Sequence, residues 1–214
     1  MSNKFLIFIV VVLLGVNFVT LFFFNRYKKN TIIHLNSLLQ SSDELMTLHA
    51  NFITGIENSN IQLEDVIIKD SLNVMLPLDS IFWKNQSEIL VCRFSEMDCE
   101  SCINYSINTL LQWSNKIGKD NILFLGAYRN NKIFNKQKPL YGIDTLNTVN
   151  VDRINLPVED FGHPYYFILD STLRVLNVFL PNKGTPSIDN KYLESTCKKY
   201  FDLSRGNESQ NSKE

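Results

Sequence analysis

The stretch LVCRFSEMDCESCINYSINTLLQW, Leu90–Trp113, decides how the rest of the chain is read. Ile89 to Phe94 is a short apolar run of the kind that forms a buried strand. Cys99 to about Ile117 has helical spacing, with Ile103, Ile107, Leu110, Leu111 and Trp113 or Ser114 on its inner face, and Gly118 as its stop. Cys99 and Cys102 fall at the junction. Positions i and i+3 share a helix face, so the two sulfurs can approach. A helix start offers free N–H groups and a positive dipole end, which stabilise a thiolate. The more N-terminal sulfur gains most, making Cys99 the nucleophile and Cys102 the resolving thiol. Two small core residues, or half a zinc site, remain open at this point. Zinc lacks a second ligand pair, because Cys92 lies in the strand and His34, His49 and His163 are scattered.

Working outward, Asn121–Tyr128 reads as a second buried strand, and Arg129 to about Tyr141 as a short helix broken by Pro139. A third strand is expected in Thr145–Pro157. Pro164–Asp170 and the run around Leu173–Pro181 make a hairpin, and Ser187–Phe201 a closing amphipathic helix. Upstream, Ile61, Leu63, Asp65 and Ile67 alternate as a strand would, and Pro77 interrupts the next apolar run, Val74–Phe82. Strands separated by helices require crossovers, hence a parallel core, while the last two strands pair as a hairpin. The fold class is α/β, a central mixed sheet with flanking helices.

From Glu88 to Phe201 the chain resembles a thioredoxin-fold protein of the membrane-anchored bacterial redoxin type. MDCESC stands in the place of the family's active-site C-x-x-C, and GHPYYFILD is similar to its cis-proline and the strand after it. The resemblance implies that Pro164 is cis and faces the cysteines, and that His163 offers backbone groups to substrate. Two departures stand out. Asp98 replaces the aromatic residue usual before the first cysteine, and Arg93 stands where many members carry a buried acid. Asp98, Glu96 and Glu100 oppose a thiolate, and Arg93 partly offsets them, so Arg93 and Asp98 are the expected tuning residues. A thiol-specific peroxidase would need P-x-x-x-T-x-x-C; those positions hold Cys92 and Glu96. Cys92 and Cys197 read as core.

The implied activity is thiol–disulfide exchange, as reductant rather than oxidant, with a protein disulfide as substrate, a dithiol electron donor, and no dissociable cofactor or metal. The alternative from another class is a redox-inactive binding module on the same fold. A net charge of −1 over 214 residues gives no basic field for nucleic acid.

The amino-terminal part is a separate matter. Phe5–Phe24 is twenty residues without a charge, about 30 Å as a helix, or one hydrocarbon core. It ends in Phe22-Phe23-Phe24-Asn25-Arg26 without a small-residue cleavage site, so it reads as an uncleaved signal-anchor in contact with membrane lipid. Residues 25–57 form a helical stalk. Leu35, Leu38, Leu45, Phe52 and Ile56 follow a heptad with Ser42 and His49, which suits either packing on its own domain or a homodimer through residues 31–56. Residues 58–203 make the thioredoxin-like domain and 204–214 a disordered tail. Arg26, Lys28 and Lys29 would place the domain in the cytoplasm by the positive-inside rule. Disulfide chemistry places it on the periplasmic side of a bacterial inner membrane, and that is the expectation carried forward.

Overall fold

A computed structural model describes residues 3–63, 66–69, 75–81 and 86–201. The expected disordered tail, 204–214, lies outside the described residues, as does Asp65 of the expected first strand. Contacts divide the chain into Met1–Met46 and Thr47–Glu214.

Helix α1 (Asn3–Asn58) runs from the first unit into the second without a break. It contains no proline and only the isolated glycines Gly15 and Gly55, each costing about 1 kcal/mol, so nothing stops the helix at the expected boundary after Phe24. Leu13, Leu14, Phe18 and Leu21 to Phe24 are each more than half exposed. Among the described residues no helix is long and apolar enough to cross a membrane. The side chains of residues 3–12, where the apolar stretch begins, lie outside those described.

The carboxyl end of α1 belongs to the second unit and docks through polar side chains. Thr47, Thr54 and Asn58 are buried. The Asn58 carboxamide accepts from the Val158 N–H at 2.9 Å. Asn51 accepts from the Leu180 N–H at 2.6 Å and donates to the Leu180 carbonyl at 3.2 Å. These spacings put one polar stripe inward, where it satisfies backbone groups that have no ladder partner. The heptad residues Leu35, Leu38, Leu45, Phe52 and Ile56 are left more than half exposed.

The second unit is built on a sheet. Its strands are β1 (Ile67–Lys69), β2 (Met75–Pro77), β3 (Glu88–Ser95), β4 (Ile122–Ala127), β5 (Thr148–Asn150), β6 (Tyr165–Asp170) and β7 (Val175–Phe179), ordered β2-β1-β5-β4-β3-β6-β7 among the described residues. β3 pairs parallel with β4 and antiparallel with β6. Helices α2 (Glu100–Ile117), α3 (Asn131–Gln137) and α4 (Pro186–Thr196) complete it, with Cys197–Phe201 continuing α4 as a wider turn. The thioredoxin-like α/β arrangement is thus present, a mixed sheet with a parallel core and a closing hairpin and helix.

Central strand β3 is buried on both faces. Leu90, Cys92 and Phe94 pack with Ile103, Ile107 and Leu110 of α2 and Leu193 of α4. Ile89 and Val91 face Leu123, Leu125, Phe167 and Leu169 on the other side. Cys92 is therefore core, and burial pushes its thiol far above the ordinary range. Cys197 is half-buried, its thiol donating to the Lys116 carbonyl at 3.7 Å.

Two expectations change. The alternating run Ile61–Ile67 is not one strand: Gln62 makes a single bridge to Arg174, and β1 begins at Ile67. As expected, Pro77 interrupts its apolar run: β2 stops there and a 3-10 turn, Leu78–Ile81, follows. No peptide bond among the described residues is cis, so Pro164 is trans. The chain turns into β6 on Gly162 instead, at φ 65, after the 3-10 turn Pro157–Phe161. Glycine adopts that left-handed conformation without a Cβ penalty. Pro164 is then left just before the strand, where its missing N–H interrupts no ladder.

Candidate active site

The end of β3 delivers the cysteines. Ser95–Asp98 forms a tight turn in which the Asp98 N–H donates to the Ser95 carbonyl at 3.1 Å and the Asp98 carboxylate accepts from the Ser95 N–H at 2.8 Å. Cys99 comes next as the N-cap of α2, with extended backbone at φ −64 and ψ 126. Cys99 and Cys102 are joined as a disulfide, with Cα atoms 5.2 Å apart. The Cys99 sulfur accepts from the Cys102 N–H at 3.1 Å. In the disulfide this sulfur is neutral; on reduction the same N–H faces the thiolate. Cys99 is exposed and Cys102 half-buried, which leaves the first sulfur open to a partner and shields the second.

The register Arg93↔Tyr165 brings His163 and Pro164 to the end of the sheet from which the cysteine loop leaves. His163 is exposed and Pro164 buried. A cleft of about 160 Å³ opens there, with Arg93, Ser95, Asp98, Glu159, His163 and Tyr165 in its walls. Burial raises the Asp98 carboxyl above its ordinary range, against the lowering effects of the Ser95 N–H, His163 and Arg93. Glu96 is turned away, paired with Arg129 at 3.7 Å and accepting the Arg129 N–H at 3.2 Å.

Arg93 is nearly fully buried. Its Nε and Nη2 donate to one Glu159 oxygen at 3.0 and 2.7 Å. Nη1 donates to the carbonyls of Gly126 and Val151 at 3.0 and 2.7 Å, and Nη2 also to that of Asp152 at 2.8 Å. The other Glu159 oxygen accepts the N–H groups of Ile154 and Asn155 at 3.0 and 2.9 Å. The acid that partners this strand position comes from the 3-10 turn, not from the strand, and no local pattern in the sequence marks it.

Sequence reading also passed over two residues beside the disulfide. The Ser101 hydroxyl lies 3.4 Å from the Cys99 sulfur. The Lys183 ammonium, from the loop after β7, donates to that hydroxyl at 3.2 Å. Ser101 was visible inside the C-x-x-C, but Lys183 is 82 residues further along and lies in the turn-like run Pro181–Gly184. The loop is fixed from beneath by Asp189, fully buried, whose carboxylate accepts from Tyr105 Oη at 2.6 Å and from the Asn182 N–H at 3.1 Å. Burial pushes the Asp189 carboxyl up to about 6, despite those two bonds.

No family model matches the sequence, and no curated protein does. Solved bacterial structures to which it is similar include proteins described as thiol–disulfide oxidoreductases, a putative electron transfer protein from Aquifex aeolicus and a Prx3 from Vibrio vulnificus. The thioredoxin domain of a thiol-disulfide oxidoreductase from Bacteroides vulgatus is 14% identical, with 63% of this chain and 97% of that one covered and a TM-score of 0.44. A thiol:disulfide interchange protein from a Bacteroides species is 14% identical over 64% of this chain and 90% of its own, with a TM-score of 0.46. A thio-disulfide isomerase from Thermus thermophilus is 16% identical over 63% and 94%, with a TM-score of 0.40.

Two outcomes are expected. Glu159→Ala leaves the Arg93 charge buried without its counter-ion and should destabilise the domain by about 3 kcal/mol in urea unfolding. Asp189, with a folded value near 6 against 3.8 ordinarily, favours the folded state below pH 4 and loses that contribution as pH rises through 6. Asp189→Asn should therefore remove a component of stability that falls between pH 4 and 7, read by comparing the pH dependence of unfolding with that of the unsubstituted protein.

Proposed function

We propose that this chain is a membrane-tethered thiol–disulfide oxidoreductase that acts as a reductant. The observation that carries the reading is the exposed Cys99 sulfur, capping α2 within bonding distance of the shielded Cys102. In the reduced protein the Cys99 thiolate attacks a substrate disulfide. A Cys99–substrate disulfide forms, and the displaced substrate thiolate takes a proton from solvent. Cys102, losing its own proton, then attacks the Cys99 sulfur and expels the second substrate thiolate, which is protonated in turn. The substrate gains two electrons and two protons, and the Cys99–Cys102 disulfide is restored. A dithiol donor reverses the change. An extended segment of the substrate would lie along the His163-Pro164 backbone beside the cleft.

The charges around Cys99 support the reductant direction. Asp98 and Glu100 stand on either side of Cys99, and carboxylates hold a neighbouring thiol up. A thiolate that is not strongly stabilised does not make a strong oxidant. For the tether, the support is the uncharged run Phe5–Phe24 together with the unbroken helix α1 that leads from it. A periplasmic location is favoured by an exposed disulfide, which persists in oxidising compartments.

Equilibration of the pair against glutathione should give a potential between about −180 and −270 mV; a value near about −120 mV would make it an oxidant. Cys99→Ser should abolish reduction of insulin, and Cys102→Ser should trap a mixed disulfide. A protein that binds partners yet exchanges no disulfide would be a binding module. The full chain should remain with membranes after alkaline carbonate extraction, and a chain starting at residue 25 should not. In spheroplasts, a membrane-impermeant maleimide should label Cys99 after reduction; labelling only after lysis places the domain in the cytoplasm.

A further inference from the structure

The loop after β7 brings the positive charge of Lys183 to the cysteine site. We propose that Ser101 and Lys183 form a relay that holds the Cys99 thiolate once the disulfide is reduced, a role that rests on the exchange activity proposed above. Lys183 Nζ lies 3.2 Å from Ser101 Oγ, and Ser101 Oγ lies 3.4 Å from Cys99 Sγ. A disulfide sulfur carries no proton, so the serine hydroxyl donates to sulfur while its lone pair accepts from the ammonium. Such a chain is polarised in one direction, with positive charge at one end and sulfur at the other. When sulfur becomes an anion, both links become charge-assisted and strengthen. The Cys102 N–H, 3.1 Å from the sulfur and shared with the Cys99 carbonyl at 2.9 Å, is the second donor to it.

Lys183 is exposed, but the loop under it is not free to wander. The Asn182 N–H is held by Asp189, its side-chain amide donates to Thr47 Oγ1 at 3.1 Å, and its side-chain oxygen accepts the Gly184 N–H at 2.9 Å. Lys183 thus sits between two anchored residues. The backbone places the lysine, and only its side chain needs ordering.

The surroundings explain why such a relay matters. Glu100 lies in the first turn of α2 and Asp98 immediately before Cys99. Glu96 is neutralised by Arg129, and Arg93 by Glu159. His163 acts on Asp98 from the β6 side, and Asp189 is bonded to Tyr105 and Asn182 beneath the loop. Among the described residues, Lys183 is the cation that reaches the cysteine face of α2 through a hydrogen-bonded partner. Its charge, passed through Ser101, opposes the carboxylates of Asp98 and Glu100 at the sulfur and favours the thiolate, the form that attacks a disulfide.

The step balances simply. A donor dithiol gives two electrons to the Cys99–Cys102 disulfide and becomes a disulfide itself. Of its two protons one goes to Cys102 and the other to solvent, leaving Cys99 as the thiolate under Ser101.

The test uses the reduced full chain. Iodoacetamide alkylation of the Cys99 peptide is measured by mass spectrometry as a function of pH, for the unsubstituted protein and for Lys183→Met, Lys183→Arg, Ser101→Ala and Ser101→Ala/Lys183→Met. Lys183→Met should raise the alkylation midpoint by about half to one pH unit, and Lys183→Arg should restore it. Ser101→Ala should raise it too, and adding Lys183→Met should then change little. An unmoved midpoint in Lys183→Met overturns the proposal. So does an equal Lys183→Met shift with and without Ser101, which would mean a diffuse field rather than a relay. Insulin reduction is read on the same samples. Midpoint shifts as expected in an inactive protein support the relay and remove the oxidoreductase reading; unmoved midpoints in an active protein do the reverse.

Discussion

Arg93 carries a permanent positive charge into the interior of the sheet, and its position there organises the site end of the domain. Every N–H of its guanidinium is bonded, to Glu159 and to carbonyls of Gly126, Val151 and Asp152. Those partners belong to β4, to the segment after β5 and to the turn that leads toward His163. One side chain therefore joins the strand that delivers the cysteines to the turn that delivers Pro164. A buried cation without such partners would cost several kcal/mol. The constraint works in both directions: the charge needs these acceptors, and the carbonyls of Val151 and Asp152, past the end of β5, gain a donor there.

The cysteine site inherits this geometry. β3 ends two residues past Arg93, the Ser95–Asp98 turn follows, and Cys99 begins the helix with its sulfur and its carbonyl both accepting from the Cys102 N–H. The other contributor comes from far along the chain. The loop after β7 is fixed by Asp189 and Thr47, and so presents Lys183 to Ser101. Acidic residues near the disulfide are thus answered from two distant loops, Glu96 by Arg129 and the sulfur itself by Lys183 through Ser101.

Helix α1 carries its apolar heptad and its docking residues on different faces. Its heptad of Leu, Phe and Ile is real, yet the face that docks in the second unit carries Thr47, Asn51, Thr54 and Asn58. Hydrophobic periodicity says which residues avoid water on average; it says nothing of the backbone groups at Leu180 and Val158. Those groups need polar partners, and Asn side chains supply them where leucine cannot. Asn58 and Asn51 could not be recognised as docking residues before the backbone they serve was placed.

The order of strands and helices from Glu88 onward, the two-faced burial of β3, the core role of Cys92 and the placing of both cysteines at the start of α2 were all legible in the sequence. Each rests on short-range pattern: apolar runs, helical spacing, and a helix N-terminus that begins at a fixed residue. The trans bond at Pro164, the acid that pairs with Arg93, and the lysine that reaches Ser101 were not. Each depends on where a loop lies in space, and loop residues carry turn preferences that fit many paths. Local sequence settled which segments would pack and where sulfur would stand. Tertiary structure alone decided which charges would surround that sulfur, because a Coulomb interaction depends on distance through space and not along the chain.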